Sequence, residues 1–350
     1  MSPSPHRART AILGASGYTG AELLRLLGSH PGLEVTALTA DRQAGKPISD
    51  VFPHLAGLDL PRLVKIEDCD WSSLDAVFCC LPHGTTQEVI AGLPEHLKIV
   101  DLSADFRLRD VESYAEWYGH AHMAPALQSQ AVYGLTEHAR KDLATARLCA
   151  SPGCYPTGAQ LPLIPLLKSG LIDADDIIID AKSGVTGAGR AAKEGSLYAE
   201  IAEGIHAYGI ASHRHAPEIE QGLSDAAGRP IVVNFTPHLM PMNRGILSTI
   251  YVRLEGGTTV TDLRRSLAQA YEGERFVRIL PEGAAPATRH VRGSNLCLIG
   301  LFADRVKRRA ILVSAIDNLV KGAAGQALQN MNVMLGCDET WGLEARAMFP

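Results

Sequence analysis

Cys154 is placed where a thiol becomes a nucleophile. The run Ser151-Pro152-Gly153-Cys154-Tyr155-Pro156-Thr157-Gly158 reads as a strand-to-helix corner, with an apolar helical stretch from Ala159 to Lys168 behind it. At a helix N-terminus the unpaired backbone N–H groups favour negative charge. A free cysteine has a pKa of about 8.5, so only a small fraction is thiolate at neutral pH, and such a corner lowers that value. The competing reading is a small buried cysteine. Two prolines and two glycines around Cys154 favour the nucleophile.

A thiol nucleophile needs a proton acceptor, and a developing oxyanion needs a donor. His213-Arg214-His215 offers both near neutral pH. Pro217 suits a first helical turn, so the histidines precede a helix. In extended backbone the two rings share a face. No third ligand accompanies them, which argues against a metal site. Lys182-Ser183-Gly184-Val185-Thr186-Gly187-Ala188-Gly189-Arg190 follows a predicted strand, Asp176 to Ala181. Its glycines, hydroxyls and cations suit an anion. It is not a nucleoside-triphosphate loop, because no Gly-Lys-Ser/Thr closes it.

A third motif supplies a cofactor. Gly14-Ala15-Ser16-Gly17-Tyr18-Thr19-Gly20 ends the first strand and opens the first helix. That context suits a pyrophosphate resting on a helix N-terminus. The second strand ends at Thr39-Ala40-Asp41-Arg42, with Lys46 close behind. Asp41 could hold a ribose hydroxyl, and Arg42 a 2′-phosphate. Two cations against one acid lean towards NADPH, while an ordinary charged loop stays open.

These motifs need a scaffold. Strands at Ala11–Leu13, Glu34–Thr39, Ala76–Leu81, Ile99–Leu102 and Leu148–Ser151 alternate with helices at Gly20–Leu27 and Thr85–Ala91. This predicts an α/β parallel-sheet domain with right-handed crossovers. Beyond Cys154 the strands lengthen: Asp176–Ala181, Ile231–Phe235, Leu247–Leu254, Leu296–Ala303 and Ala310–Ile316, with a helix at Val260–Tyr271. This predicts an α+β domain with a mostly antiparallel sheet. The basic run Arg305 to Arg309 reads as its solvated hairpin turn. A final helical segment runs from Asn318 to Leu335. The expected partition is residues 1–152 with 318–350 for the dinucleotide, and 153–317 for the substrate.

Composition narrows the class. A net charge of −5 and no basic block argue against nucleic acid. Seven cysteines without paired spacing form neither a disulfide framework nor a zinc pattern. No apolar run has membrane-spanning length, and the first ten residues lack the apolar core of a secretory signal. A cytoplasmic protein with a small-molecule substrate is expected.

Six motifs together resemble the N-acetyl-gamma-glutamyl-phosphate reductase family. They are Gly14 to Leu23, Leu81-Pro82-His83-Gly84, Asp101-Leu102-Ser103-Ala104-Asp105-Phe106-Arg107, Pro152 to Thr157, Lys182 to Arg190, and His213-Arg214-His215, in family order. The resemblance implies a Rossmann-type domain and NADPH-dependent reduction of N-acetyl-glutamyl 5-phosphate to the 5-semialdehyde, in arginine biosynthesis. It implies Cys154 as the thioester-forming nucleophile and His213 as the acid/base, with His215 as second choice or substrate contact. It implies cofactor contacts at Gly14, Ser16, Gly17, Tyr18, Thr19, Gly20, Arg42, Ser183, Gly184 and Asn318. Arg107, Arg190 and His215 are implied for the substrate, and a homo-oligomer, tetramer or dimer, for the assembly. Many relatives carry Ser-Arg where this chain has Asp41-Arg42. The alternatives are a lysine-pathway reductase of carrier-bound aminoadipyl phosphate and a non-catalytic dinucleotide-binding regulator.

Overall fold

The computed structural model describes residues 7–349. Residues 1–6, part of the N-terminal stretch considered above, lie outside that range. The fold divides into two compact units. One holds the chain up to Pro152 with Ala323–Glu344; the other holds Gly153–Gly322 with the residues from Ala345 on. Residues 318–322 and those from Ala345 on, expected with the first unit, group with the second. For 318–322 the reason is local: Asn318 bonds Gly245 and Thr186, and the Gly322 N–H donates to the Asp317 carbonyl.

The first unit is built on seven parallel strands: β1 (Ala8–Leu13), β2 (Leu33–Thr39), β3 (Leu63–Val64), β4 (Ala76–Cys79), β5 (Lys98–Asp101), β6 (Val132–Tyr133) and β7 (Leu148–Ala150). Their order is β3-β2-β1-β4-β5-β7-β6. Ala76, Val77, Phe78 and Cys79 are all buried, as befits a strand covered on both faces. With β2 on one side of β1 and β4 on the other, the strand order reverses at β1. Ligands of open α/β sheets bind at the carboxyl end of such a switch point.

The second unit holds β8 (Ile172–Gly184), β9 (His206–Ala207), β10 (Asn234–Met240), β11 (Ile246–Leu254), β12 (Val277–Ile279), β13 (Cys297–Ala303) and β14 (Arg309–Ile316). The order is β12-β13-β14-β11-β8-β10-β9. Only the β8–β10 and β12–β13 pairs are parallel. A mostly antiparallel sheet therefore stands as expected, and Arg305 to Arg308 form the β13–β14 turn. Two predicted strands shift. β8 runs on through Lys182, Ser183 and Gly184, so the supposed loop begins inside the sheet. Ile231 to Val233 are not strand: the N–H groups of Ile231 and Val233 donate to Ser224 and Glu220 side chains instead of a ladder.

The helix Cys154–Lys168 lies buried against this sheet despite Pro162 and Pro165 in its interior. Each proline lacks the N–H that would bond four residues back. The freed Gly158 carbonyl accepts Ser314 Oγ at 2.6 Å, and the freed Leu161 carbonyl accepts the Tyr271 hydroxyl. Side chains of other elements thus replace both missing donors.

Candidate active site

The cysteine corner is where the sequence placed it. Cys154 is the first residue of its helix, half-buried, and Gly153 caps the helix without a side-chain bond. Both the Thr157 N–H and Thr157 Oγ1 donate to the Gly153 carbonyl at 3.0 Å. The Gly153 N–H donates to the Glu218 carboxylate at 2.7 Å, and Glu218 is 1% exposed. Gly322 passes so close that a Cβ there would sit 2.7 Å from the Cys154 Cβ.

The histidines reach this corner through Tyr155. Its buried ring lies 5.6 Å from His213, 5.8 Å from His215 and 5.3 Å from Phe235, all edge to face. The Tyr155 hydroxyl meets the Tyr208 hydroxyl at 3.0 Å, and Tyr208 packs 5.3 Å from His213. Burial, and the neighbouring Tyr208, push Tyr155 far above the ordinary phenol range. Tyr208 is pushed up to about 12, mainly by burial. Burial, with the Arg214 cation next to it, pushes the His213 imidazole down to about 4. His213 is therefore neutral at physiological pH. His215 directly precedes the helix Ala216–Ala227, which carries Pro217 in its first turn.

The remaining predicted residues of this unit divide. Ser183 is buried on β8 and Gly184 ends that strand. The Asn318 carbonyl oxygen accepts the Gly245 N–H at 2.7 Å, and its amide donates to Thr186 at 2.9 Å. Asn318 thus pins two loops together. Arg190 is exposed beyond the turn Val185–Ala188.

In the first unit the glycine turn fits a dinucleotide. Gly14 adopts φ +72°, and a Cβ there would lie 2.6 Å from the Cys80 carbonyl oxygen, so backbone alone fits. Gly17 caps the helix Tyr18–Leu27 with no side-chain bond, leaving its N-terminus open to an anion beside Ser16, Thr19 and Gly20. Arg42 and Lys46 are exposed after β2. Arg107 is 6% exposed; its Nε and Nη2 donate to the Ser151 and Leu102 carbonyls, both at 2.8 Å. It braces the strand end that precedes the cysteine motif. Asp105 braces the Pro82-His83-Gly84 turn, accepting from the Gly84 and Thr86 N–H groups.

Sequence reasoning gave no role to Glu218, Tyr155 or Tyr208. Glu218 follows Pro217 in a first helical turn, a position where an acid reads simply as a favourable charge. Tyr155 was visible within the motif beside Cys154, but its ring neighbours come from distant segments.

Two family models cover most of the chain. One, the NAD-binding domain of semialdehyde dehydrogenases, matches residues 9–146; the other, their dimerisation domain, matches residues 154–318. A crystal structure of aspartate semialdehyde dehydrogenase II from Vibrio cholerae aligns over 95% of this chain and 99% of its own, with TM-score 0.72 and 17% identity. That likeness shows the fold. The two-unit fold and the capped cysteine thus define a protein of the semialdehyde dehydrogenase class. An N-acetyl-gamma-glutamyl-phosphate reductase of Rhodospirillum rubrum is 64% identical over 98% of this chain and 99% of its own length. A probable chloroplastic N-acetyl-gamma-glutamyl-phosphate reductase of Arabidopsis thaliana is 61% identical over 98% of this chain and 85% of its own. The chain belongs to the N-acetyl-gamma-glutamyl-phosphate reductase family.

Proposed function

We propose that the protein reduces N-acetyl-glutamyl 5-phosphate to N-acetyl-glutamate 5-semialdehyde, releasing phosphate, as a step of arginine biosynthesis. The observation that carries this reading is Cys154 at the open end of its helix, beside a tyrosine packed on both histidines. The cysteine attacks the acyl carbon and displaces phosphate, leaving a thioester. NADPH, when bound, supplies the hydride that reduces it. Gly14, Ser16, Gly17, Tyr18, Thr19 and Gly20 would hold its pyrophosphate, and Arg42 its 2′-phosphate. Ser183, Gly184 and Asn318 shape the cofactor side of the cysteine unit. His213 serves the proton chemistry, while His215 and Arg190 face substrate. Arg107 supports the substrate region by fixing the backbone ahead of Cys154.

The dimerisation-domain match supports a homo-oligomer. Its contact surface is best supplied by the sheet face turned away from the helices, where Ile178, Thr249, Tyr251, Ile311 and Val313 stay half-exposed. All seven cysteines are free, which suits a reducing compartment, and we place the protein in the cytoplasm. No helix among the described residues is long and apolar enough to cross a membrane.

The test is phosphate-dependent NADP reduction with the semialdehyde. Cys154→Ser should lose this turnover by at least a thousandfold, of the order seen when a covalent nucleophile is removed, yet still bind NADPH. Unchanged turnover sinks the covalent mechanism. Exclusive use of a carrier-bound aminoadipyl phosphate would move the protein to the lysine-pathway reaction.

A further inference from the structure

We propose that Asp101 is held as a neutral carboxylic acid, and that its proton completes a buried row of hydrogen bonds positioning the turn Leu81–Gly84 at the carboxyl end of the first sheet. The inference concerns the dinucleotide unit and is independent of the covalent reading above.

The row runs oxygen by oxygen. Asp101 Oδ2 lies 2.7 Å from Ser103 Oγ, Ser103 Oγ lies 2.8 Å from Thr86 Oγ1, and Thr86 Oγ1 lies 2.6 Å from Asp105 Oδ2. All four residues are buried. Three oxygen–oxygen contacts of this length need three protons. The two hydroxyls supply two, and an ionised carboxylate supplies none. With both acids charged, one contact would set lone pair against lone pair, out of reach of water. A third proton on Asp101 fills the row: Asp101 donates to Ser103, Ser103 to Thr86, and Thr86 to Asp105. Ser103 Oγ also accepts the Asp105 N–H at 3.0 Å, so its bonding capacity is then complete.

The other partners say why the proton sits on Asp101. Asp105 takes the Gly84 N–H on both oxygens at 2.8 and 2.9 Å, and the Thr86 N–H and Tyr114 hydroxyl at 3.1 Å. Donors thus occupy both of its oxygens. Beyond the row, Asp101 takes the Ser103 N–H at 2.9 Å on Oδ1. Burial pushes Asp101 up to about 7, over the opposing bonds from Ser103 and the opposing charge of Arg107. The groups facing it are Cys79 on β4, Cys80 just beyond, Cys149 on β7, Asp105 and Arg107 after β5, and Tyr114 from the helix Val111–Tyr118. The helix Gly325–Met334, packed on β5, has no titratable residue. Arg107 is the cation of that set, against the carboxylate of Asp105.

The row ends where the cofactor unit needs a fixed backbone. Leu81–Gly84 follows Cys80, whose carbonyl packs against Gly14 of the dinucleotide turn. Asp105 holds Gly84, and Thr86 opens the helix Thr86–Ala91. Asp101 is a positioning residue: it acts through Ser103, Thr86 and Asp105.

Asn is the neutral mimic, since its amide N–H donates to Ser103 in place of the acid proton. Asp101→Asn should bind NADPH within about twofold of the parent, while Asp101→Ala, which breaks the row, should bind about tenfold more weakly. The pH dependence has a definite sign. Asp101 moves from an ordinary 3.8 to about 7 on folding, so the folded state keeps a proton that the unfolded state releases. The unfolding constant of the unaltered protein, divided by that of Asp101→Asn, should rise about tenfold per pH unit between about pH 5 and about pH 6. It should level off above about 7. Infrared difference spectra of the two proteins in that acid window should show the carbonyl stretch of a protonated carboxyl in the unaltered protein alone. A missing band, a stability ratio that is flat or falls with pH, or an Asn variant as impaired as Ala each overturns the proposal. The infrared and pH readings use Asp101→Asn alone, so they decide even where Asp101→Ala does not fold.

Discussion

The proposed choice of dinucleotide falls to one side chain, Arg42. It stands exposed on the short turn Asp41–Gln43, directly after β2, with Asp41 before it and Lys46 behind. A charge-assisted bond to a 2′-phosphate contributes about 1.5–3 kcal/mol, roughly a 10- to 100-fold effect. Arg42→Ala should therefore raise the KM for NADPH by about that factor and leave NADH kinetics nearly unchanged. If steady-state kinetics show neither cofactor affected, Arg42 does not touch the phosphate. Residues of this kind were legible because their chemistry is local. Cys154 and the glycine turn announce themselves through immediate neighbours. The protonation state of His213 was not legible, since its cage is assembled from Tyr155, Tyr208 and Phe235, which only the fold brings together. Arg107 was read as a substrate contact from its motif alone; the carbonyls it braces belong to residues 102 and 151.

Among the elements, the helix Cys154–Lys168 carries the cysteine and Tyr155. Its interior prolines cost it two backbone donors, and hydroxyls from β14 and from Tyr271 take up the carbonyls they free. Five strands of the first unit were readable because buried strands and intervening helices have distinct patterns; the two-residue β3 and β6 are too short to show one. Ile231 to Phe235 misled because an apolar run bounded by Pro230 resembles a strand. There the helix Ala216–Ala227 satisfies the backbone through Ser224 and Glu220. That same helix clamps the cysteine corner through Glu218. Removing this carboxylate leaves the buried Gly153 N–H without an acceptor, a cost of about 1–3 kcal/mol. Glu218→Ala should lower the unfolding free energy by that amount. Glu218→Gln, whose amide oxygen still accepts, should recover most of the stability. Identical losses in both variants, measured by denaturant unfolding, would show that the clamp does not depend on an acceptor at that position.

For the whole molecule, the second sheet poses a question of coverage. Helices pack on one face, burying Ile177, Ile179, Ile250, Val252 and Leu312. The opposite face presents Ile178, Thr249, Tyr251, Ile311 and Val313, in register across β8, β11 and β14. Such a face is half apolar and only half-exposed, unlike the clean polar surface of a one-sided antiparallel sheet. Near one end of it, Asp180 lies 2.7 Å from the Lys182 ammonium and 3.1 Å from His238, so charges there are already balanced within the chain. A second copy meeting this face in two-fold fashion would place like against like, as isologous contacts require. Tyr251 sits at the middle strand, flanked by Ile178 and Ile311. Tyr251→Asp would bury a charge from each copy within that contact, costing several kcal/mol across the pair. Sedimentation velocity should then show a shift of the assembly towards monomer, while the far-ultraviolet dichroism stays unchanged. Were the oligomer instead held elsewhere, the variant would sediment as the parent does, and the sheet face would have to be covered by something other than a second copy.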